Sequence, residues 1–396
     1  MEDRAGGTMP GQVLSATGSP YREALDTQRY DFGGHVQSPI AERFVIATRF
    51  SGSLQKHEHG FGEIRERDRH ELLFGEVSLR GAYRQHTWVV GVAAERDAYR
   101  PRDVQRFAYT YVTPAVFLQD DIVIAPWLSV SASVRADFHS QFGTFFSPRV
   151  SALIRRGSWT SRISAGQGVF APSPLTEETE AAGLSRLSVP TPLRAERGRS
   201  ASFDLTRGFG PISLTGTLFA SNIRNPVNAI RGTAYQLTNL SEQTTNRGVE
   251  LLGTWRKAPF SATASYTYVR SREQQLSGGR SDIPLTPRHS LGLVGVWERE
   301  GKWRLGVECY YTGQQRLEYD PYRTYSKPYV IFGMMGERRL NKYVRLFLNL
   351  ENLTDVRQTR WNSLLRPDRS ADGRWTVDAW APLDGRVING GVRLNF

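Results

Sequence analysis

Leu128-Ser-Val-Ser-Ala-Ser-Val-Arg-Ala-Asp137 decides the fold. Leu128, Val130, Ala132, Val134 and Ala136 alternate with Ser129, Ser131, Ser133, Arg135 and Asp137. A period of two puts the apolar set on one face of a strand and the polar set on the other. The pattern returns at Val344, Leu346, Leu348 and Leu350, set against Arg345, Phe347, Asn349 and Glu351. It returns at Ala262, Ala264, Tyr266 and Tyr268, and at Trp88, Val90, Val92 and Ala94. Ile388, Val392, Leu394 and Phe396 close the chain in the same phase. No helical stripe of comparable length occurs, so the chain reads as all-β.

Composition narrows the class. The 396 residues include 19 Phe, 16 Tyr and 9 Trp, an aromatic content that argues against disorder. Mean hydropathy is −0.44, and no stretch approaches the roughly 18–20 apolar residues of a helical membrane span. Membrane strands escape that limit, because only every second residue meets lipid. The net charge is +12, carried almost wholly by Arg, with Lys only at 56, 257, 302, 327 and 342. These arginines are scattered rather than gathered into a basic arm, so no nucleic-acid partner is expected. Cys309 is the only cysteine, which excludes an internal disulfide and a cysteine-based metal site. The first thirty residues show no basic start followed by an apolar core, so no signal peptide is read there.

Connection lengths separate barrel from sandwich. Short turns are predicted at 84–86, 125–127, 155–158, 208–211, 257–259, 300–302 and 341–343. Long polar loops are predicted at 57–69, 98–108, 170–197, 224–244, 271–287, 313–328 and 353–385. Strands of about ten residues with short turns on one side and long loops on the other are the pattern of a transmembrane antiparallel β-barrel. About sixteen strands are counted from Arg43 onward, making 41–396 the barrel. Residues 1–40 read as an irregular Gly-, Ser- and Pro-containing segment, a loop or one further strand over Tyr30–Gln37. Trp88, Trp127, Trp159, Trp303, Phe260 and Tyr343 sit beside the short turns, as an interfacial aromatic girdle requires.

Several stretches in chain order resemble one family. They are Gln119-Asp-Asp-Ile122, Phe146-Ser-Pro-Arg-Val-Ser151, Ser164-Ala-Gly-Gln-Gly-Val-Phe-Ala-Pro172, Asn246-Arg-Gly-Val-Glu250, Ile283-Pro-Leu-Thr-Pro-Arg-His289, Leu350-Glu-Asn-Leu-Thr-Asp355 and Gly391-Val-Arg-Leu-Asn-Phe396. Together, over about 70–396, the chain is similar to the barrel of TonB-dependent outer-membrane receptors. The resemblance implies residence in the bacterial outer membrane and active uptake of a scarce ligand such as a metal chelate, vitamin or oligosaccharide. It further implies energy from the TonB complex and recognition of the terminal strand (Ile388, Val392, Leu394, Phe396) by the barrel-assembly machinery. The family's plug domain and TonB box are not visible, and its barrels have 22 strands, so the sequence reads as an incomplete copy. A passive porin-like channel is the first alternative, and a soluble basic nucleic-acid-binding β protein the second.

Catalytic or metal chemistry finds little support. His57-Glu-His59 puts two imidazoles on one side of a strand, without a third ligand. Asp368-Arg-Ser-Ala-Asp-Gly373 lacks the spacing of a calcium loop. Glu177, Glu178 and Glu180 read as a solvated acidic cluster. No phosphate loop, nucleophile elbow or zincin helix is present, so no enzyme, cofactor or resident metal is expected. Arg80, Arg135, Arg162, Arg256, Arg304 and Arg345 fall on the lumen phase, where they could draw anionic ligands. The plainer reading is a charge ladder balanced by Glu76, Asp137, Glu250, Glu308 and Glu351.

Overall fold

The computed structural model describes residues 2–4, 23–61, 64–176, 183–232, 235–275, 278–368 and 376–395. Its strands are β1 (Glu2–Arg4), β2 (Glu23–Ala41), β3 (Phe44–Phe61), β4 (Ile64–Tyr83), β5 (His86–Pro101) and β6 (Tyr109–Ala125). Next come β7 (Leu128–His139), β8 (Gly143–Arg156), β9 (Trp159–Phe170), β10 (Leu187–Ser188), β11 (Glu196–Phe209) and β12 (Ile212–Arg224). Then follow β13 (Val227–Arg231), β14 (Tyr235–Asn239), β15 (Thr244–Lys257), β16 (Phe260–Gln274) and β17 (Arg280–Asp282). The chain ends with β18 (His289–Arg299), β19 (Trp303–Thr312), β20 (Tyr329–Arg339), β21 (Val344–Glu351) and β22 (Val387–Leu394).

Nineteen of these make one sheet, and β10, β14 and β13 make a second of three strands. Within the large sheet β1 and β17 are three residues long; the other seventeen follow one another as antiparallel neighbours from β2 to β22. This is the wall of a barrel. Among the described residues no ladder joins β22 back to β2. The segment before Arg43, for which the sequence leaves loop and strand both open, contains the long strand β2, joined to β3 by a two-residue turn.

The alternation read at Leu128 propagates through the ladders. Val134 stands opposite Leu118 and Pro148, and Ala136 opposite Val116 and Phe146. The same face continues through Val92, Val77 and Thr48 on one side and Ile163, Phe203 and Leu218 on the other. These side chains are exposed to a degree that water would punish: Val116, Leu118, Ile163 and Leu218 are all about half accessible. The chain presents 24455 Å² of surface, whereas a compact soluble chain of its mass exposes about 16,000 Å². A hollow wall with an apolar outer face accounts for the excess. A shallow apolar recess of about 610 Å³ between Val77, Val90, Val116 and Phe146 lies on this face.

Tight turns close one end. Gly157 and Gly210 have φ of 58° and 59°, the left-handed conformation that glycine adopts without a Cβ penalty. Along this end Trp255, Phe260, Trp297 and Trp303 form a chain of ring contacts, with centroids 6.4, 5.8 and 3.8 Å apart in turn. Phe260 and Trp303 are two of the six aromatic residues singled out beside the short turns, and Trp255 and Trp297 join them.

The other end departs from expectation over 57–69, predicted as a loop. β3 and β4 continue as a ladder to Phe61 and Ile64, and β5 likewise runs to Pro101. Strands of 16–20 residues reach about 50–65 Å, well beyond a hydrocarbon core of about 30 Å. Above the core both faces meet water, so the alternation that marks a membrane strand is lost. Cross-strand pairs such as Arg65–Glu58 and His57–Asp68 hold the ladder instead.

The wall's two faces predict unequal tolerance. Val116→Arg, at mid-height on the apolar face, should destabilise the folded barrel by about 2–4 kcal/mol. Ser131→Arg, opposite Asp121 on the polar face, should cost well under half of that. Urea titration of vesicle-inserted protein, followed by Trp fluorescence, measures both; equal costs would contradict the assignment of faces.

Candidate functional site

At the end away from the tight turns, the polar faces of β3–β7 carry a continuous row of His, Asp and Tyr. His57 Nδ1 lies 3.0 Å from Asp68, whose second oxygen accepts the Tyr99 hydroxyl at 3.1 Å. His70 Nε2 lies 2.7 Å from Asp97, whose second oxygen accepts the Tyr109 hydroxyl at 3.4 Å. Each carboxylate thus bridges one imidazole and one phenol. The rings continue as a ladder: Tyr99 to Tyr109 at 5.8 Å, Tyr109 stacked on Tyr111 at 4.4 Å, and Tyr111 to His139 at 4.9 Å. Period two and register produce this row. Tyr99 is the cross-strand partner of Tyr109, and Asp97 of Tyr111. Burial pushes the Tyr99 and Tyr109 phenols up, and the neighbouring Asp68 and Asp97 carboxylates add to it. Both therefore stay protonated donors.

Loops close over the row. The 102–108 connection is pinned by Arg67, which donates to both Asp103 oxygens at 2.8 and 3.1 Å and adds its backbone N–H at 2.8 Å. The 171–195 connection is pinned by Glu66. Its two oxygens accept the N–H groups of Leu184 and Ser185, at 2.7 and 2.8 Å, where a 3-10 turn begins. β10 of this loop pairs in parallel with β14 of the next, and Leu184, Leu187, Tyr235 and Leu237 pack as a small core on Tyr99. Arg231, at the end of β13, reaches Asp378 at 3.2 Å. Asp378 belongs to the last long loop, where Trp361 and Trp380 stack at 5.4 Å. There the buried Gln358 accepts the Trp380 backbone N–H at 2.8 Å and donates to the Asp378 carbonyl at 3.0 Å.

Between these loops and the ladder lies a cavity of about 740 Å³, lined by Arg106, Tyr109, Tyr111, Phe142, Arg186 and Leu193, among others. Arg106 donates to the Leu187 carbonyl at 3.0 Å, and its guanidinium sits 4.9 Å from the Phe107 ring. Flat aromatic walls, phenolic donors and two guanidinium groups suit a ligand that is planar in part and negatively charged. Among the described residues no group of three or more His, Cys, Asp or Glu could hold a metal ion. His57 and His59 lie in β3 rather than at a loop margin, and His57 is engaged with Asp68. The acidic cluster at Glu177, Glu178 and Glu180 lies outside the described residues, as does most of Asp368–Gly373.

The six lumen-phase arginines all lie on the polar face but do not converge. Arg135 pairs with Asp137 at 2.8 Å, Arg304 with Glu298 at 2.8 Å, and Arg345 with Glu337 at 3.5 Å. Arg80, Arg162 and Arg256 have no ion pair among the described residues. Five of the six stand within four residues of a tight turn, at the far end of the wall from the cavity. Of the acids expected to balance them, Glu76 instead binds Arg49 through two 2.8 Å bonds, and Glu351 accepts from Asn389. In the terminal strand Ile388, Val392 and Leu394 face outward and are 70%, 60% and 55% exposed, while Phe396 is not among the described residues.

Residues 10–353 match the family described as TonB dependent receptor-like, beta-barrel. The chain belongs to that family. Its solved relatives include a ferric enterobactin receptor mutant from Pseudomonas aeruginosa (TM-score 0.69, 15% identity, 100% of this chain and 72% of that one). The FrpB iron transporter from Neisseria meningitidis also aligns (0.71, 12%, 94% and 65%), as does the copper transporter OprC (0.72, 14%, 95% and 66%). The chain spans roughly two thirds of the length of these structures. No protein of curated function matches its sequence. TonB-dependent receptors are outer-membrane receptors and transporters rather than enzymes, and nothing in these likenesses favours the porin alternative.

In this receptor barrel the aromatic row escapes sequence reading because 98–108 reads as loop. A signal exists: Asp97, Tyr99, Tyr109, Tyr111 and His139 all fall on the polar phase of their strands. Two outcomes test the loop anchors. Glu66→Ala should speed hydrogen exchange over 183–188 about tenfold or more, since bonds to a charged acceptor contribute about 1.5–3 kcal/mol each. The Arg67 guanidinium holds the Asp103 carboxyl below its ordinary 3.8, so its contribution is full above that value and is lost as pH falls through the lower folded value. Asp103→Asn should therefore exchange faster than wild type over 102–108 at pH 7, with the difference shrinking as the pH is lowered below 3.8.

Proposed function

We propose that this chain is the membrane wall of an outer-membrane receptor that takes up an anionic, aromatic-bearing metal chelate. The observation that carries this is the cavity: stacked Tyr109 and Tyr111 face Arg106, Arg186 and Phe142 at the loop end of the wall. The metal in such a ligand is cargo, held by the chelate rather than by protein side chains. The names of the structural relatives, a ferric enterobactin receptor and iron and copper transporters, support a metal-bearing ligand. Arg80, Arg162 and Arg256, deeper in the lumen, supply positive potential that draws the anion inward. Energy coupling through TonB belongs to this proposal, as does recognition of the Ile388–Phe396 strand by the barrel-assembly machinery.

The test is quenching of intrinsic fluorescence in the purified full chain by a ferric tris-catecholate. Tyr109→Ala with Tyr111→Ala should weaken binding about tenfold or more, given that an aromatic stacking contact contributes about 1 kcal/mol and two are removed. A neutral complex of equal size should bind poorly. Equal affinity of wild type and the double variant would refute the assignment of the cavity. Steady conductance in planar bilayers without ligand, together with no chelate binding, would favour the passive channel.

A further inference from the structure

The opposite surface of the wall carries a second concentration of charge. On β11, β12, β15 and β16 the outward positions are apolar through Phe203, Leu218, Val249 and Tyr268. Two register rows then end the apolar band. Ala201, Ala220, Arg247 and Arg270 stand in order across the first, and Arg199, Asn222, Thr245 and Arg272 across the second. Arg280 of β17 caps them, donating to the Gln243 carbonyl at 2.7 Å and the Thr245 hydroxyl at 2.9 Å. A groove of about 550 Å³ runs between them, lined by all five arginines and by no acid.

Height identifies what surrounds this groove. Arg247 stands eight residues along β15 from Trp255 of the turn-side girdle, about 26 Å of strand. At a strand tilt of about 40° this is a rise of about 20 Å within an apolar band of about 25 Å, which sets Arg247 and Arg270 just inside its far boundary and Arg199 and Arg272, two residues further along, at it. Charge balance identifies what occupies it. Arg247 and Arg270 are direct cross-strand partners, an arrangement that repels unless an anion intervenes. Asp282, the cross-strand partner of Arg272, is taken up by Arg288 at 2.5 Å, and Glu242 reaches only Arg280, at 3.8 Å. Arg270 Nε is buried with no hydrogen-bond partner among the described residues. Guanidinium forks match phosphate oxygens in pairs.

We propose that this groove binds the phosphate of a lipid headgroup in the outer leaflet, with the acyl chains lying on the apolar face below. The proposal rests on the outer-membrane reading above but not on the cavity at the mouth. The groove opens on the same surface that meets hydrocarbon, so its natural occupant is a lipid rather than a free anion.

The experiment uses the full chain in zwitterionic detergent, titrated with a bis-phosphorylated glycolipid or its dephosphorylated counterpart, with bound lipid read by native mass spectrometry. Wild type should retain the phosphorylated lipid at least tenfold better than the Arg247→Gln, Arg270→Gln double variant. Arg247→Lys with Arg270→Lys should recover part of the binding, and millimolar inorganic phosphate should not displace the lipid. Undiminished retention by the Gln variant, or equal binding of the dephosphorylated lipid, overturns the proposal. Full displacement by inorganic phosphate overturns it in favour of a free-anion site. Heat-modifiable electrophoretic mobility reports whether the variant is folded, and ferric catecholate quenching in the same variant separates this failure from failure of the uptake reading.

Discussion

The structure depends on one constraint: in hydrocarbon every backbone N–H and C=O must find a protein partner. Antiparallel ladders meet it without help from solvent, and they must do so in unbroken series. From β2 to β22 each wall strand pairs with the next, and the connections that interrupt the series stand at the two ends. The period of two follows, because a ladder leaves side chains only two directions to take. One direction meets lipid and is apolar; the other meets the lumen and carries Arg, Asp, Ser and Thr.

Above the bilayer the constraint relaxes and different forces hold the chain. The upper parts of β3–β5 remain laddered through ion pairs and imidazole–carboxylate contacts rather than through an apolar face. Elsewhere the loops are fastened by single long-range clasps: Glu66 on the start of a 3-10 turn, Arg231 on Asp378, and Gln358 on the Trp380 backbone. Each clasp satisfies backbone or charge that would otherwise be left over when the loops fold inward.

The wall is legible in sequence wherever lipid lies on one side. The strict alternation of Leu128–Asp137 is absent at 57–69, where both faces are wet, and there the strand reads as a loop. The Tyr99, Tyr109 and Tyr111 row can be found from parity, since aromatic rings on the polar phase have no lipid to meet. The pairing of Glu66 with Leu184 cannot, because the partners lie 118 residues apart and no periodic pattern encodes such a distance. Parity also separates two arginines on one strand: Arg256 shares the phase of Glu250 and faces the lumen, whereas Arg247 shares the phase of Val249 and faces outward. A reading by charge alone would merge them.

Strand length is unequal around the wall. β2–β5 run 16–20 residues, and β18–β22 only 8–11. The rim is therefore a tall palisade on one flank and a low sill, bordered by the described loop residues 313–328 and 352–368, on the other. Parting the palisade would break many ladder bonds at once, whereas lifting the loops over the sill breaks a few clasps.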